Sequence, residues 1–319
     1  MRHASKLLIS IVVPLAWLIF ACGGAGGEPD RAATVDSPGK PYPRFDGAAA
    51  HELVKRQVEF GPRVPGTAGH TAMANWMEEY LLERADTLIV QRFTHVTGDG
   101  EKLPLVNFLA RFQRGAGPPI LLLAHWDTRP FSDQAYEEGD RQKPVPGAND
   151  GASGTAVLLQ FAEMLREAPP PQGVDLLLVD GEDYGDFGLG RDVFLGSRHF
   201  AENLPTNYSP RFGVLLDMIG DRDLQIYIEG NSNRLAPEVV DRVWNIAHRL
   251  GFGDIFQRST RHTMNDDHIP LNDAGIRTID VIDFDYPYWH TPDDTVDKVS
   301  ASSLGVVGTV MTRLIYRGN

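Results

Sequence analysis

Short apolar runs in this 319-residue chain lead directly into side chains that bind or move charge. The run 120–124 leads into His125-Trp126-Asp127, and the run 174–179 into Asp180-Gly181-Glu182-Asp183. The run 214–216 ends at Asp217, the run 276–282 leads on to Trp289-His290, and a Gly147-Ala148-Asn149-Asp150-Gly151 turn lies between the first two. In open α/β sheets, ligands sit beyond the carboxyl ends of the strands, so these groups should gather at one sheet edge. A single polar strand end would mean little; several together are hard to attribute to solvation. Hard carboxylate oxygens with an imidazole and no thiolate suit a catalytic zinc that keeps one position open. Asp150, Asp183 and His290 supply that set, and Glu182, adjacent to a ligand but free to point elsewhere, is placed to carry protons.

Strands and helices must alternate to hold such an edge. Met73, Trp76, Met77, Tyr80 and Leu81 fall at helical spacing, as do Val157, Leu158, Phe161, Met164 and Leu165. Pro237 opens a further helical pattern carried by Val239, Val240, Val243, Ile246 and Leu250, and Leu304, Val307, Met311 and Leu314 form a closing one. The short apolar runs read as buried strands of a largely parallel sheet. The expected fold is therefore an α/β three-layer sandwich with a mixed, mostly parallel central sheet flanked by helices. The polar stretch 130–146 reads as a long functional loop. Asn149 and Ser153 are expected to shape the turn and cap the helix after it, and Asp127 to support His125 or its loop. Asp293, Asp294 and Asp297 read as a solvated turn. Tyr286 and Tyr288 have the choice of lining a pocket or packing.

Composition narrows the partners. The chain carries 30 basic and 43 acidic residues, a formal charge of −13, and so has no general electrostatic attraction to nucleic acid. Its single cysteine excludes an intramolecular disulfide and a thiolate zinc site. That cysteine, Cys22, comes after a basic start and an apolar run 7–21, shorter than the roughly 20 residues that span a bilayer. Ile19-Phe20-Ala21-Cys22-Gly23 resembles a bacterial lipobox, so the expectation is an exported protein anchored to a bacterial membrane by lipid at Cys22. Residues 1–21 would be the signal, 22–44 a flexible Gly-, Pro- and Ser-rich tether, and 45–319 one catalytic domain.

In combination and order, His125-Trp126-Asp127, Gly147 to Gly154, Asp180-Gly181-Glu182-Asp183, Leu216-Asp217 and Trp289-His290-Thr291 resemble the motifs of the clan MH zinc exopeptidases, which include aminopeptidases and animal-type glutaminyl cyclases. The resemblance covers roughly residues 45–319, including Arg63-Val64-Pro65-Gly66-Thr67. Asp266-Asp267-His268-Ile269-Pro270, the block 194–200 and Trp289 before His290 look more like the cyclases. That resemblance implies a single zinc on Asp150, Asp183 and His290, with Glu182 as proton shuttle. It also implies an acidic hydrogen-bond network of Asp217 and Asp266, and Trp289 as the wall of the substrate pocket. Peptide or protein N-termini beginning with glutamine would be the substrate. The hydrolytic relatives imply instead an aminopeptidase, with a second zinc on the equivalents of His125 and Asp217, bridged by Asp150. The sequence departs from the clan in one place: Asp183 stands where a second glutamate is common.

Overall fold

A computed structural model describes residues 42–113 and 115–318. The expected signal, Cys22 and the tether as far as residue 41 lie outside the described residues. Tyr42 and Phe45 already pack on the domain, the first stacked on Tyr316 and the second 5.0 Å from the ring of Phe161.

In chain order the elements are α1 (Gly47–Val58), α2 (Ala68–Leu82), β1 (Thr87–Val96), β2 (Lys102–Phe112), β3 (Ile120–His125), α3 (Ala152–Glu167), β4 (Val174–Val179) and α4 (Leu195–Glu202). They continue with β5 (Phe212–Asp217), β6 (Ile226–Ile228), α5 (Gly230–Leu235), α6 (Pro237–Arg249), β7 (Phe256–Thr260), α7 (His268–Asp273), β8 (Thr278–Ile282) and α8 (Ala301–Arg317). The main sheet has six strands in the order β1-β2-β4-β3-β5-β8, and β6 pairs with β7 apart from it. β4, β3, β5 and β8 run parallel, while β1 and β2 form an antiparallel hairpin that joins through β2 to β4. The sheet is thus mixed and mostly parallel, as the alternation of elements implies.

Every residue of β3, β4, β5 and β8 is buried. Helices cover both faces, which is why these strands read as continuous apolar runs rather than alternating ones. Leu122, Leu176, Val214 and Ile279 point into the larger core with α1, α3, α6 and α8. Leu121, Leu123, Leu177 and Leu215 point the other way, into a smaller core with Phe200 of α4 and Leu271 of α7. Asp46, Thr67 and Ser300 accept backbone N–H groups at the starts of α1, α2 and α8, satisfying donors that the first turn leaves free. Pro237 sits in the first turn of α6, where its missing N–H costs nothing. Among the described residues no helix is long and apolar enough to cross a membrane.

Candidate metal centre

The parallel strands deliver their chemistry at their carboxyl ends. β3 ends on His125, β5 on Asp217, and β4 is followed within four residues by Glu182 and Asp183. The turn carrying Asp150 is pressed against this edge. Arg63, fully buried, donates to the carbonyls of Pro146 and Gly147 at 2.5 and 2.6 Å. Gly147 adopts φ +69°, and a Cβ there would lie 2.2 Å from the Thr128 methyl. Gly151, at φ +56°, is the N-cap of α3, and a Cβ would meet His125 Cε1 at 2.8 Å. Only glycine fits a left-handed backbone held that close to another side chain. Asn149 and Ser153 therefore do not cap α3. Asn149 Oδ1 accepts from Gly220 N and Ser153 Oγ from Ile219 N, so both tie the turn to the segment after β5.

Two groups of ligand-capable side chains meet at Asp150. His125, Asp150 and Asp217 form one, Asp150, Asp183 and His290 the other, and in each the ligand atoms lie within 4.8 Å of one another. His125 Nε2 stands 3.1 Å from both Asp150 Oδ1 and Asp217 Oδ1. His290 Nε2 stands 3.2 Å from Asp183 Oδ1 and 3.6 Å from Asp150 Oδ2. All five side chains are buried. Asp150 Oδ2 and Asp183 Oδ2 accept no hydrogen bond from any described group, an expensive state for a buried acceptor unless a cation faces it. The donor set, carboxylate oxygens and imidazole nitrogens converging without thiolate, fits a divalent metal such as zinc. Burial opposes protonation of both imidazoles, yet the carboxylates around them win: His290 is lifted to about 9 and His125 well above its usual range. A dication would replace those protons.

The surroundings of the two imidazoles differ. His290 Nδ1 faces Asp133 at 3.1 Å, and Arg129 grips Asp133 with Nε and Nη2 while its Nη1 reaches Asp183 Oδ1 at 3.1 Å. His125 Nδ1 has no hydrogen-bond partner; Asp127, 3.6 Å away, is beyond bonding distance. Asp127 instead accepts the backbone N–H groups of Glu182 and Asp183, fixing the loop after β4. It thus supports the loop, and it also stands beside His125, whose protonation it favours.

Asp294 is a correction to the sequence reading. Far from lying in a solvated turn, it is fully buried, accepts the N–H groups of Asn149 and Asp150, and takes a hydrogen bond from Tyr286 Oη at 2.7 Å. That places Tyr286 behind the metal centre rather than on the cavity. The backbone amide of Asp150 is thereby anchored from the far side. His290 itself sits at φ +54°, in a region costly for a non-glycine residue, and its carbonyl accepts from Gln134 N.

A cavity of about 710 Å³ opens over the cluster. Glu182, Asp217 and Asp266 line it together with Asp150 and His290. Trp289 forms an aromatic wall, 3.9 Å from the His290 ring and 4.9 Å from Phe284. Burial pushes Glu182 well above the usual carboxylate range, with Asp183, Asp266 and Asp267 adding to the effect and His125 opposing it. Asp266 is raised to about 6, by burial first and by Asp217 second. The metal-competent residues, Glu182, Asp217, Asp266 and Trp289 thus share one site. Sequence reasoning missed Arg129 and Asp133, which lie at the edge of a polar loop and carry no spacing signal of their own.

The sequence profile of Peptidase family M28 matches residues 107–315. The chain belongs to this family of zinc-dependent enzymes, whose members include glutaminyl cyclases and aminopeptidases. The glutaminyl cyclase of Bacteroides thetaiotaomicron, solved with N-acetylhistamine, is 35% identical with a TM-score of 0.83, over 87% of this chain and 99% of that one. A leucine aminopeptidase precursor from the same organism is 36% identical with a TM-score of 0.84, over the same shares of the chains. Aminopeptidase YwaD of Bacillus subtilis is 28% identical over 211 residues, 62% of this chain. The chain spans 40% of that aminopeptidase's length.

Proposed function

We propose that the protein is a zinc-dependent glutaminyl-peptide cyclotransferase, converting the N-terminal glutamine of peptides to pyroglutamate with release of ammonia. The observation that carries this reading is the unequal equipment of the two imidazoles. Metal-ligating histidines ordinarily donate their outer N–H to a carboxylate or carbonyl. His290 has Asp133 within hydrogen-bond distance, whereas Asp127, beside His125 Nδ1, stands 3.6 Å off and already accepts two backbone N–H groups. One well-supported metal position suits a reaction whose nucleophile belongs to the substrate and needs no activated water. The Bacteroides glutaminyl cyclase and the leucine aminopeptidase precursor are equally alike in coverage, so the site and not the likeness carries the choice between them.

Asp150, Asp183 and His290 would hold the zinc, which when bound would supply a Lewis acid for the side-chain amide carbonyl. Glu182, Asp217 and Asp266 give the cavity a wall of carboxyl oxygens for the substrate's α-ammonium. The ammonium loses its first proton to solvent, and Glu182, its basicity raised by burial, takes the second as the nitrogen attacks. The freed amine attacks the amide carbon five ring atoms round, forming the new C–N bond within one residue, so orientation supplies much of the acceleration. Glu182 returns its proton to the amide nitrogen as the old C–N bond breaks, and ammonia leaves. Trp289 and Phe284 shelter the closing ring from water. We further propose that the protein is exported and held to a bacterial membrane by lipid at Cys22.

A second reading, hydrolytic removal of N-terminal residues, is favoured by a specific observation: the two oxygens of Asp150 face different ligand groups, as a bridging carboxylate would. One assay separates the readings. Zinc-loaded protein is offered Gln-initiated and Leu-initiated peptides, and ammonia and free amino acids are measured. Ammonia from the first without free amino acid is expected; release of leucine with no cyclisation would sink the cyclase reading.

A further inference from the structure

The cavity over the metal centre, about 710 Å³, holds several times what one amino-acid residue fills, and its lining runs on from the metal end to α4 and α7. Phe187, Phe194 and Arg198 line it in a row. The ring of Phe187 lies 5.9 Å from that of His290 and 5.5 Å from that of Phe194. The guanidinium carbon of Arg198 stands 5.7 Å from the centre of the Phe194 ring. The row is tied to the proton carrier through the backbone: at the start of α4, Phe194 N donates to Glu182 O and Leu195 N to Gly181 O. The neighbouring helix α7 adds Ile269 and Pro270 to the lining.

Among the described residues Arg198 is the one lysine or arginine that lines this cavity. Its guanidinium nevertheless forms no ion pair and no hydrogen bond with any described group; its partner is the face of Phe194. Glu202, one turn further along α4, and Asp273 of α7 also line the cavity, but both are exposed and neither reaches it. An arginine fork resting on an aromatic face with its donors free is arranged to take a carboxylate. A bound glutamine occupies the metal end, its amide carbonyl towards the ligands and its α-nitrogen towards Glu182. The rest of the peptide must then leave through the open part of the cavity. An extended chain advances about 3.4 Å per residue, so the steps from Phe187 to Arg198 are covered by the two or three residues that follow the glutamine. We infer that Arg198 is a specificity-determining residue that receives a carboxylate carried by the second or third residue of the substrate. This deepens the proposed function and rests on it for the seating of a peptide N-terminus at the metal end.

The test uses tripeptide amides that begin with glutamine and carry two alanines, glutamate at the second position, glutamate at the third, or lysine at the second. A further peptide has two alanines and a free C-terminal carboxylate. Cyclisation by the zinc-loaded full chain is followed in 0.15 M salt, where the overall negative charge is screened beyond about 8 Å. Wild type should favour at least one carboxylate-bearing peptide over the all-alanine amide by about 3-fold to 10-fold in kcat/KM, mostly through KM. The peptide that gains identifies the source: the second side chain, the third, or the chain terminus. The preference should vanish in Arg198→Gln, survive in part in Arg198→Lys and pass to the lysine peptide in Arg198→Glu. Each is a ratio within one variant, so a general loss of activity cancels. As a second arm, the same peptides are titrated by calorimetry into zinc-loaded Glu182→Gln protein with and without Arg198→Gln, and their affinities should keep the same order. Equal rates and affinities for all peptides, a wild-type preference for lysine, or an acidic preference that survives Arg198→Gln would overturn the inference. Should no peptide be cyclised, the cyclase reading fails while the affinities still decide the role of Arg198.

Discussion

On the His290 side of the cavity, buried carboxylates meet guanidinium groups, whereas on the Asp266 side they meet amides, a hydroxyl, an imidazole and one another. Arg129 bridges Asp133 and Asp183, and Arg63 clamps the turn that carries Asp150. Asp267 takes a bond from Ser197 Oγ, and Glu229 takes the N–H groups of Asn231, Ser232 and Met264. No lysine or arginine is among the groups that set the ionisation of Asp266, Asp267, Asp280 or Glu229. The first side is built to stay ionised and hold a dication. On the second, burial and neighbouring carboxylates favour protons on Asp266, Asp267 and Asp280, while Glu229 stays ionised. Reactions that move a proton across a bound substrate need both behaviours within a few ångströms, and the sheet edge separates them by assigning each to different strand ends.

The contrast can be broken most severely at the ligands. Asp150→Ala or Asp183→Ala should abolish tight zinc retention, and turnover should fall by at least about three orders of magnitude; metal analysis after dialysis, alongside rates, checks both. Glu182→Gln should cut turnover by about two to three orders while zinc stays bound, because it removes a proton carrier and no ligand. Unaltered activity in that variant would refute the shuttle. Asp133→Asn should weaken zinc about 10-fold to 100-fold yet leave turnover near normal at saturating metal, since only the outer nitrogen of His290 loses its partner. The smallest effect belongs to the acidic side. Although burial opposes its ionisation, His268 and the amides of Asn231 and Ser232 bring Glu229 from 4.5 down to about 2. A depressed folded value means the stabilisation is complete above the ordinary glutamate range and is lost as pH falls towards 2. Glu229→Gln should therefore cost about 2 kcal/mol at neutral pH, and urea melts should show the gap to wild type closing in acid.

Much of this arrangement is legible in the sequence because it depends on strand ends. β3, β4 and β5 are runs of Leu, Val and Ile too short for helices, and the residues after each must lie at the carboxyl edge. The hairpin of β1 and β2 carries no such signal. β1 is only half-buried at an edge, and β2 has Pro104 and Asn107 within its span, both poor strand formers. Asn107 earns its place through contacts far away in sequence, donating to Gly196 O and accepting from Asp180 N. Asp294 misleads for a related reason: an Asp-Asp pair after a proline looks like a surface turn, and only the fold brings Tyr286 and the Asp150 amide onto it. Local pattern reveals what an element is; it does not reveal which distant backbone will need an acceptor.

The loop 130–146 holds His290 twice, through Asp133 on the ring and through Gln134 on the carbonyl. The same loop exposes Phe131 and Tyr136 to solvent. Whatever fixes the imidazole in place therefore also fixes a stretch of surface chain, and the two orderings share one free energy. Metal occupancy and the resistance of that loop to proteolytic nicking should therefore rise together, and a chelator should loosen the loop as well as empty the site.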